Sequence, residues 1–249
     1  MSKDYPFIPI IVGTDMNAYN MAISFHAHYK IHPILVGRGM LSFTRLSSIP
    51  KAIEIYPNLG ETEGFVQALE EVAKKYKEEG KQLLLIGTND LFVRLIIENK
   101  EALQKHYVFS YIDEPLMNQL LVKKNFYQLC EEHGIDVPTT YFHSCATDEV
   151  FDKEMMFPVI IKPSNGVLYY KNPFEGMQKV YKVNNYDEVN EVITTIRESG
   201  YDDDLIIQDF IPGDDTYMWD SVVYVNQHGD SELVTLAQVV LQEHTPTAI

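Results

Sequence analysis

Apolar runs at residues 7–12, 32–36, 51–56, 83–86 and 107–109 recur through the first part of the chain, separated by helix-compatible segments. Three of these runs stop at Gly13-Thr14-Asp15, Gly37-Arg38-Gly39 and Gly87-Thr88-Asn89-Asp90. Regular alternation of strands and helices indicates parallel strands, because a parallel pair needs a long crossover where an antiparallel pair can be joined by a short turn. The repeat therefore predicts a parallel α/β unit. Its helices are expected at 16–29, 61–79 and from about residue 90 to Asn99. The clearest is 61–79, where Phe65, Leu69, Val72, Ala73 and Tyr76 share one face and Gly80 is placed to cap the end. Sheets of this kind bind ligands at the carboxyl ends of their strands. The loops at 13–15 and 87–90 lie there, as substrate loops or as plain turns. Neither spells the Gly-x-Gly-x-x-Gly dinucleotide fingerprint.

Near residue 112 the pattern changes. Pro115 opens a helix with Asp113 and Glu114 at its positive end, carrying Leu116, Leu120, Phe126, Tyr127 and Leu129 as far as Gly134. An extended segment follows at 139–143, then the run Phe157-Pro158-Val159-Ile160-Ile161-Lys162-Pro163-Ser164-Asn165-Gly166. Residues 167–177 read as a loop, 179–183 as a strand and 187–199 as a helix closed by Gly200. Strands are then expected at 205–210, 217–225 and 233–242, the last two joined by a hairpin turn at 226–230. The changes of pattern divide the chain into 1–112, 113–204 and 205–249.

Lys162 carries the functional argument. β-branched residues favour a buried pleated strand, and Pro163 ends its central ladder, so the ammonium is delivered to a rigid strand end beside a polar loop. A point charge held there suits a phosphate. The plain alternative is a buried strand whose terminal lysine reaches back to water.

Charge narrows the partners. The chain has 20 Lys and Arg against 36 Asp and Glu, a formal charge of −16, which argues against nucleic acid or an acidic membrane surface as a partner. Hydrophobic residues make up 45%, enough for packed cores. The two cysteines, Cys130 and Cys145, show no metal-ligand spacing and fit a reducing compartment. Residues 1–11 lack the pattern of a secretory leader, and no apolar run reaches spanning length, so a soluble cytoplasmic protein is expected. Oligomeric state is not legible.

Lys123, Lys162, the Ser164-Asn165-Gly166 stretch and Gln208-Asp209-Phe210-Ile211-Pro212-Gly213-Asp214-Asp215 come in an order and spacing that resembles the nucleotide-binding half of the ATP-grasp superfamily. The resemblance implies a Rossmann-like pre-ATP-grasp domain at 1–112, then an ATP-grasp domain whose N-terminal subdomain is 113–204 and whose C-terminal subdomain begins at 205. It further implies ATP and Mg²⁺ as cofactors. Lys123 and Lys162 would neutralise the phosphates; Lys124 is the rival of Lys123, but the Lys-x-x-Phe pattern with Phe126 favours Lys123. Ser164, Asn165 and Gly166 would begin the loop that closes over the triphosphate. The backbone of Gln208, Asp209, Phe210 and Ile211 would meet the adenine, beside an apolar slot of Ile160, Phe210 and Ile211, and Asp215 would hold the ribose. Relatives commonly carry Glu in place of Gln208, and often in place of Asp215.

Within the superfamily, the stretches 123–138 and 210–219 are similar to bacterial carboxylate–amine ligases of the D-aspartate ligase kind, which add D-aspartate to a lysine side chain of a peptidoglycan precursor. The implied reaction activates a carboxylate as an acyl phosphate for attack by an amine, so small-molecule carboxylate and amine substrates are the expected partners. Another ATP-grasp amino-acid or peptide ligase, or a non-catalytic nucleotide- or amino-acid-binding module, is the alternative. The magnesium ligands of the superfamily, a late Glu and a Glu-x-Asn motif, have no counterpart before Ile249. Glu232 and Glu243 stand as single acids. The chain therefore reads as the N-terminal and central portion of a longer ligase, with no metal ligand of its own and inactive alone.

Overall fold

The structure, a computed structural model, describes residues 5–240. It divides into two compact units, up to Asn118 and from Gln119 onward. The sequence pattern changes slightly earlier, at 112.

The first unit is a five-stranded sheet. Its elements are β1 (Phe7–Val12), α1 (Met16–Tyr29), β2 (Ile34–Gly37), α2 (Ser42–Arg45), β3 (Ala52–Ile55), α3 (Thr62–Tyr76), β4 (Gln82–Gly87), α4 (Asp90–Glu98), α5 (Lys100–Leu103) and β5 (Tyr107–Val108). The strand order is β3-β2-β1-β4-β5, every pair parallel. Successive strand residues point to opposite faces, and both faces are covered. Ile11 and Leu35 pack with Ala18 and Ala22 of α1 on one side. Ile10, Val12, Ile34, Val36, Leu83 and Leu85 pack with α3 and α4 on the other. Asp15 caps α1, its Oδ1 accepting from Ala18 N at 3.0 Å, and Asn89 caps α4 through Phe92 N at 3.0 Å. The expected capping role of Gly80 is not found. α3 ends at Tyr76 with Lys77 in extended backbone at its C-cap, and Gly80, at φ 79°, serves the turn into β4.

α6 (Glu114–Leu121) starts as expected, with Asp113 Oδ1 accepting from Leu116 N at 2.9 Å. The single helix expected to reach Gly134 is two. Val122, in extended backbone with no side-chain cap, separates α6 from α7 (Lys123–Glu132), so Lys123 opens a helix instead of lying inside one.

The second unit holds a four-stranded sheet of β6 (Thr140–Ser144), β7 (Val159–Pro163), β8 (Tyr181–Val183) and β9 (Asp204–Asp209), in the order β6-β9-β7-β8, every pair antiparallel. Residue 205, where the sequence pattern placed a division, falls within β9, inside this sheet. Pro163 does belong to the ladder, pairing with Leu205. The β7–β8 pairing stops at Ile161, so the missing N–H of Pro163 interrupts nothing on that side.

One face of the sheet is a core. Val159, Ile161, Val183, Leu205 and Ile207 bury against Val189, Ile193 and Ile196 of α9 (Tyr186–Glu198). Each such aliphatic side chain contributes roughly 1.5–3 kcal/mol. The expected loop at 167–177 begins as α8 (Gly166–Lys171). Asn165 caps it, accepting from Leu168 N at 3.1 Å, and the buried Tyr169 pins it, donating to Gln178 O at 2.7 Å. Past β9 comes a 3₁₀ turn, Asp215–Tyr217. A hairpin follows, β10 (Trp219–Val225) with β11 (Ser231–Gln238), which forms a sheet of its own and is exposed along both strands. The last residues of the strand expected at 233–242 lie outside the described residues.

Candidate nucleotide site

The face of the four-stranded sheet opposite α9 carries the site. Strand alternation sends Ile160 and Lys162 of β7, Lys182 of β8, Gln208 of β9 and Thr140 of β6 to that face. Gln208 is its hub and is buried. Its Nε2 donates to Tyr127 Oη of α7 at 2.8 Å and to Thr140 Oγ1 at 2.7 Å, while its Oε1 accepts from Lys162 Nζ at 3.2 Å. The amide is thus oriented with oxygen toward the lysine, and the lysine receives a neutral acceptor instead of a carboxylate.

The lysines themselves converge. Partial burial lowers the pKa of Lys123, and the like charges of Lys162 and Lys179 lower it further. Burial likewise holds Lys162 below the ordinary lysine value. Desolvated ammonium groups facing one another are unfavourable by themselves and become favourable when a polyanion sits among them. Lys124 turns elsewhere. Its Nζ lies 3.8 Å from Asp204 Oδ2 and over the Phe142 ring, so of the adjacent pair it is Lys123 that joins the cluster.

The remaining expected residues are placed as follows. Ser164 N donates to Asp204 O at 2.9 Å and Asn165 N to Tyr201 Oη at 3.2 Å, so these residues are anchored to the end of β9. Gly166 starts α8. The stretch expected to begin a closing loop is therefore tied down at its first residues and helical immediately after. Among the hinge residues, Asp209 N donates to Thr139 O and Phe210 N to Pro158 O, which engages those two N–H groups within the fold. The Asp209 side chain points to the α9 face, away from Lys162, and its Oδ1 is buried without a hydrogen-bond partner. Ile211, 69% exposed and past the end of the strand, carries the accessible hinge backbone. Asp214 caps the 3₁₀ turn, accepting from the Thr216 hydroxyl at 2.5 Å and from Thr216 N at 3.0 Å, and those hydrogen bonds hold its carboxyl below the usual range. Asp215 opens the turn on the same segment.

Lys182 was not singled out from the sequence. Its ammonium sits 3.6 Å from the centroid of the Phe210 ring. One side of the expected apolar slot is therefore closed by a cation. The alternation Lys-Val-Tyr-Lys-Val at 179–183 held the signal, since a strand there beside Ile160 must present Lys182 on the face of Lys162.

Glu232 accepts from Asn226 Nδ2 at 2.8 Å within the hairpin, and Glu243 lies outside the described residues. Among the described residues, no group of three or more His, Cys, Asp and Glu is placed to hold a metal ion. A polyphosphate fits what is present, and a magnesium site is not supplied by it. No helix among the described residues is long and apolar enough to cross a membrane.

This architecture recurs in solved ligases. The L-amino acid ligase of Bacillus licheniformis superposes with a TM-score of 0.63 at 10% identity, over 98% of this chain and 53% of that one. The N5-carboxyaminoimidazole synthetase of Staphylococcus aureus, solved with ADP, superposes at 0.57 and 10% identity, over 98% of this chain and 57% of that one. The chain therefore shares the fold of these ligases, a parallel α/β unit followed by an antiparallel sheet. In sequence it is 33% identical over 248 residues to the D-aspartate ligase of Enterococcus faecium (strain Aus0004). That match covers 98% of this chain and 59% of the relative, so the chain spans about three-fifths of the relative's length. No protein-family model matches the chain.

Proposed function

We propose that this chain supplies the nucleotide-binding part of an ATP-dependent carboxylate–amine ligase, with D-aspartate as the carboxylate substrate and an amine of a peptidoglycan precursor as the acceptor. The observation that carries the nucleotide reading is the convergence of Lys123 and Lys162, both with lowered pKa and neither ion-paired to a carboxylate among the described residues, beside the strand that leads to residue 211. The D-aspartate reading rests on the similarity to the enterococcal enzyme. The site is read as lying in the cytoplasm, where both ATP and such a precursor are made, and Mg²⁺ as accompanying the triphosphate.

In this reading Lys123 and Lys162 hold the phosphates, the Ile211 backbone meets the adenine edge, and Asp215 holds the ribose. Transfer of the terminal phosphoryl group to the carboxylate gives an acyl phosphate and ADP. Attack by the amine then forms the amide and releases phosphate and a proton. Phosphoryl transfer needs positioning and charge neutralisation more than covalent help from the protein. The described residues supply the lysine part of that requirement, and no step is assigned to a metal ligand among them.

The test begins with titration of ATP, with and without Mg²⁺, into the protein and into Lys123→Ala and Lys162→Ala. Each substitution should weaken binding at least about tenfold, the loss of one charge-assisted phosphate contact. Unchanged affinity in both variants would overturn the nucleotide site. ADP release by the full-length protein, screened with D-aspartate, L-aspartate and other amino acids against amine acceptors, tests the substrate. Release driven by another amino acid would replace D-aspartate and leave the ligase class intact.

A further inference from the structure

At the amino ends of β4 and β5, the end of the first unit's sheet away from the loops at 13–15 and 87–90, lies a cavity of about 210 Å³. Its floor is buried and largely apolar, made by Ala73 of α3 with Leu83 and Tyr107. The two strands pair Leu83 with Tyr107, and the Tyr107 hydroxyl donates to Leu69 O at 2.6 Å, so the floor is fixed. The rim is made by the two connections that lead into these strands. Lys77 and Lys81 come from the connection between α3 and β4, and Lys105 and His106 from the turn between α5 and β5.

Charge sets this cavity apart. In a chain with 36 Asp and Glu against 20 Lys and Arg, three lysines and a histidine border it, and among the described residues no carboxylate does. The acid beside it, Glu78, is shared between two lysines: Lys81 Nζ lies 3.0 Å from its Oε2 and Lys51 Nζ 3.6 Å from its Oε1. Among the described residues, neither Lys77 nor Lys105 has a carboxylate within ion-pair distance. Like charges gathered in this way repel one another and are stabilised when an anion sits among them. Gln82 and Gln104 add amide N–H donors to the lining. Ammonium groups are point charges without the fork of arginine, and they suit the several oxygens of a phosphate better than the planar edge of a carboxylate. A cavity of about 150 Å³ already admits benzene. The volume here therefore holds a phosphate with a short carbon chain.

We propose that this cavity binds a small soluble phosphate monoester, its phosphate among Lys77, Lys81 and Lys105 and its carbon substituent on the floor of Ala73 and Leu83. The formal charge of −16 repels an anionic bilayer, so the phosphate is that of a free metabolite and not of a lipid headgroup. Bound there, the ester bridges the two connections and stabilises the first unit by mass action. Every residue involved belongs to the first unit, so failure of this site leaves the nucleotide site untouched.

The experiment is an NMR titration of the Lys162→Ala protein, in which the nucleotide site is impaired. The ligands are glycerol 3-phosphate, inorganic phosphate and succinate, at constant ionic strength. The expected result is saturable shifts at the amides of Gln82, Leu83, His106 and Tyr107, with glycerol 3-phosphate the tightest of the three. Lys77→Gln and Lys105→Gln should each lower its affinity about fivefold, the scale of one partly screened charge contact. The thermal melt should stay in place, since both side chains are exposed. Lys74→Gln, the same change of charge on α3 outside the cavity lining, should leave the affinity as it was. Vesicles of phosphatidylglycerol should not sediment the protein. Shifts that never saturate, inorganic phosphate or succinate binding as tightly as the ester, unchanged affinity in both Lys77→Gln and Lys105→Gln, or an equal loss in Lys74→Gln would each overturn the proposal. Sedimentation with vesicles that Lys105→Gln abolishes would overturn the soluble ester in favour of a lipid headgroup.

Discussion

Neutralising Lys123 should separate folding from nucleotide binding. Its pKa is lowered by burial and by Lys162, so in the folded state the charged form is disfavoured. A lysine lowered in this way costs stability wherever it is protonated. The cost is fully present at neutral pH and fades as pH rises through the folded value toward the ordinary one. Lys123→Gln is therefore expected to keep or raise the melting temperature at pH 7 while ATP affinity falls, and a calorimetric melt beside a binding titration checks both. His143 gives a dependence of the same sign in a lower pH window. Burial lowers its pKa, and its Nε2 is buried without a partner. The folded protein then holds a neutral ring, and the unfolded chain gains the proton first as pH falls below about 6.5. Stability should be lost through that window, and His143→Phe should flatten this part of a pH-dependent denaturation curve. Burial raises the Cys145 thiol to about 11, and Cys130 is also buried. Both should resist alkylation at pH 8 until the protein unfolds, which a thiol titration with and without denaturant reads directly.

At the scale of elements, β9 carries most of the consequence, because its Gln208 ties α7, β6 and β7 together. Gln208→Leu removes the partner of the Tyr127 hydroxyl and of the Lys162 ammonium, and should cost about 1–3 kcal/mol. Gln208→Glu keeps an acceptor for the lysine, and the Tyr127 hydroxyl can turn to donate to it, so it should cost less than Gln208→Leu. Urea denaturation of the two variants distinguishes a hub from a bystander. Asn165→Ala removes the α8 cap and should cost about 1 kcal/mol on the same measurement. Periodicity made these strands legible: Phe7–Val12 and Met16–Tyr29 have the bounds expected from the sequence alone. The α6–α7 break was not legible, because neither glycine nor proline marks Val122. Nor was α8, whose start depends on an asparagine cap and on the tertiary burial of Tyr169. At the site, Lys123, Lys162 and Gln208 are residues that the family resemblance points to. For Lys182 the alternation at 179–183 gives a strand, but its partner across the sheet, Ile160, is fixed only by the ladder. The Asp209 side chain shows the limit of reading a hinge as one block, because alternation turns it to the far face.

At the scale of the molecule, exposure sets the dynamics. The β10–β11 hairpin leaves Val222, Val223, Tyr224, Leu233, Val234 and Leu236 at the surface, and a lone two-stranded ribbon is marginally stable. Amides of 219–225 and 231–238 should therefore exchange with deuterium far faster than those of 204–209, which are held between two strands. Equal protection in the two regions would contradict that picture.

The order β6-β9-β7-β8 also imposes a timetable. Thr140–Ser144 and Val159–Pro163 leave the ribosome early but never touch through their backbones, since the strand between them is Asp204–Asp209. Until that late segment emerges, both nascent strands present unpaired edges, and the lysine at position 162 has no amide to point at. Chains released at residue 203 should accordingly bind a trigger chaperone or precipitate, whereas chains released beyond residue 209 should become protease-resistant through residues 140–209.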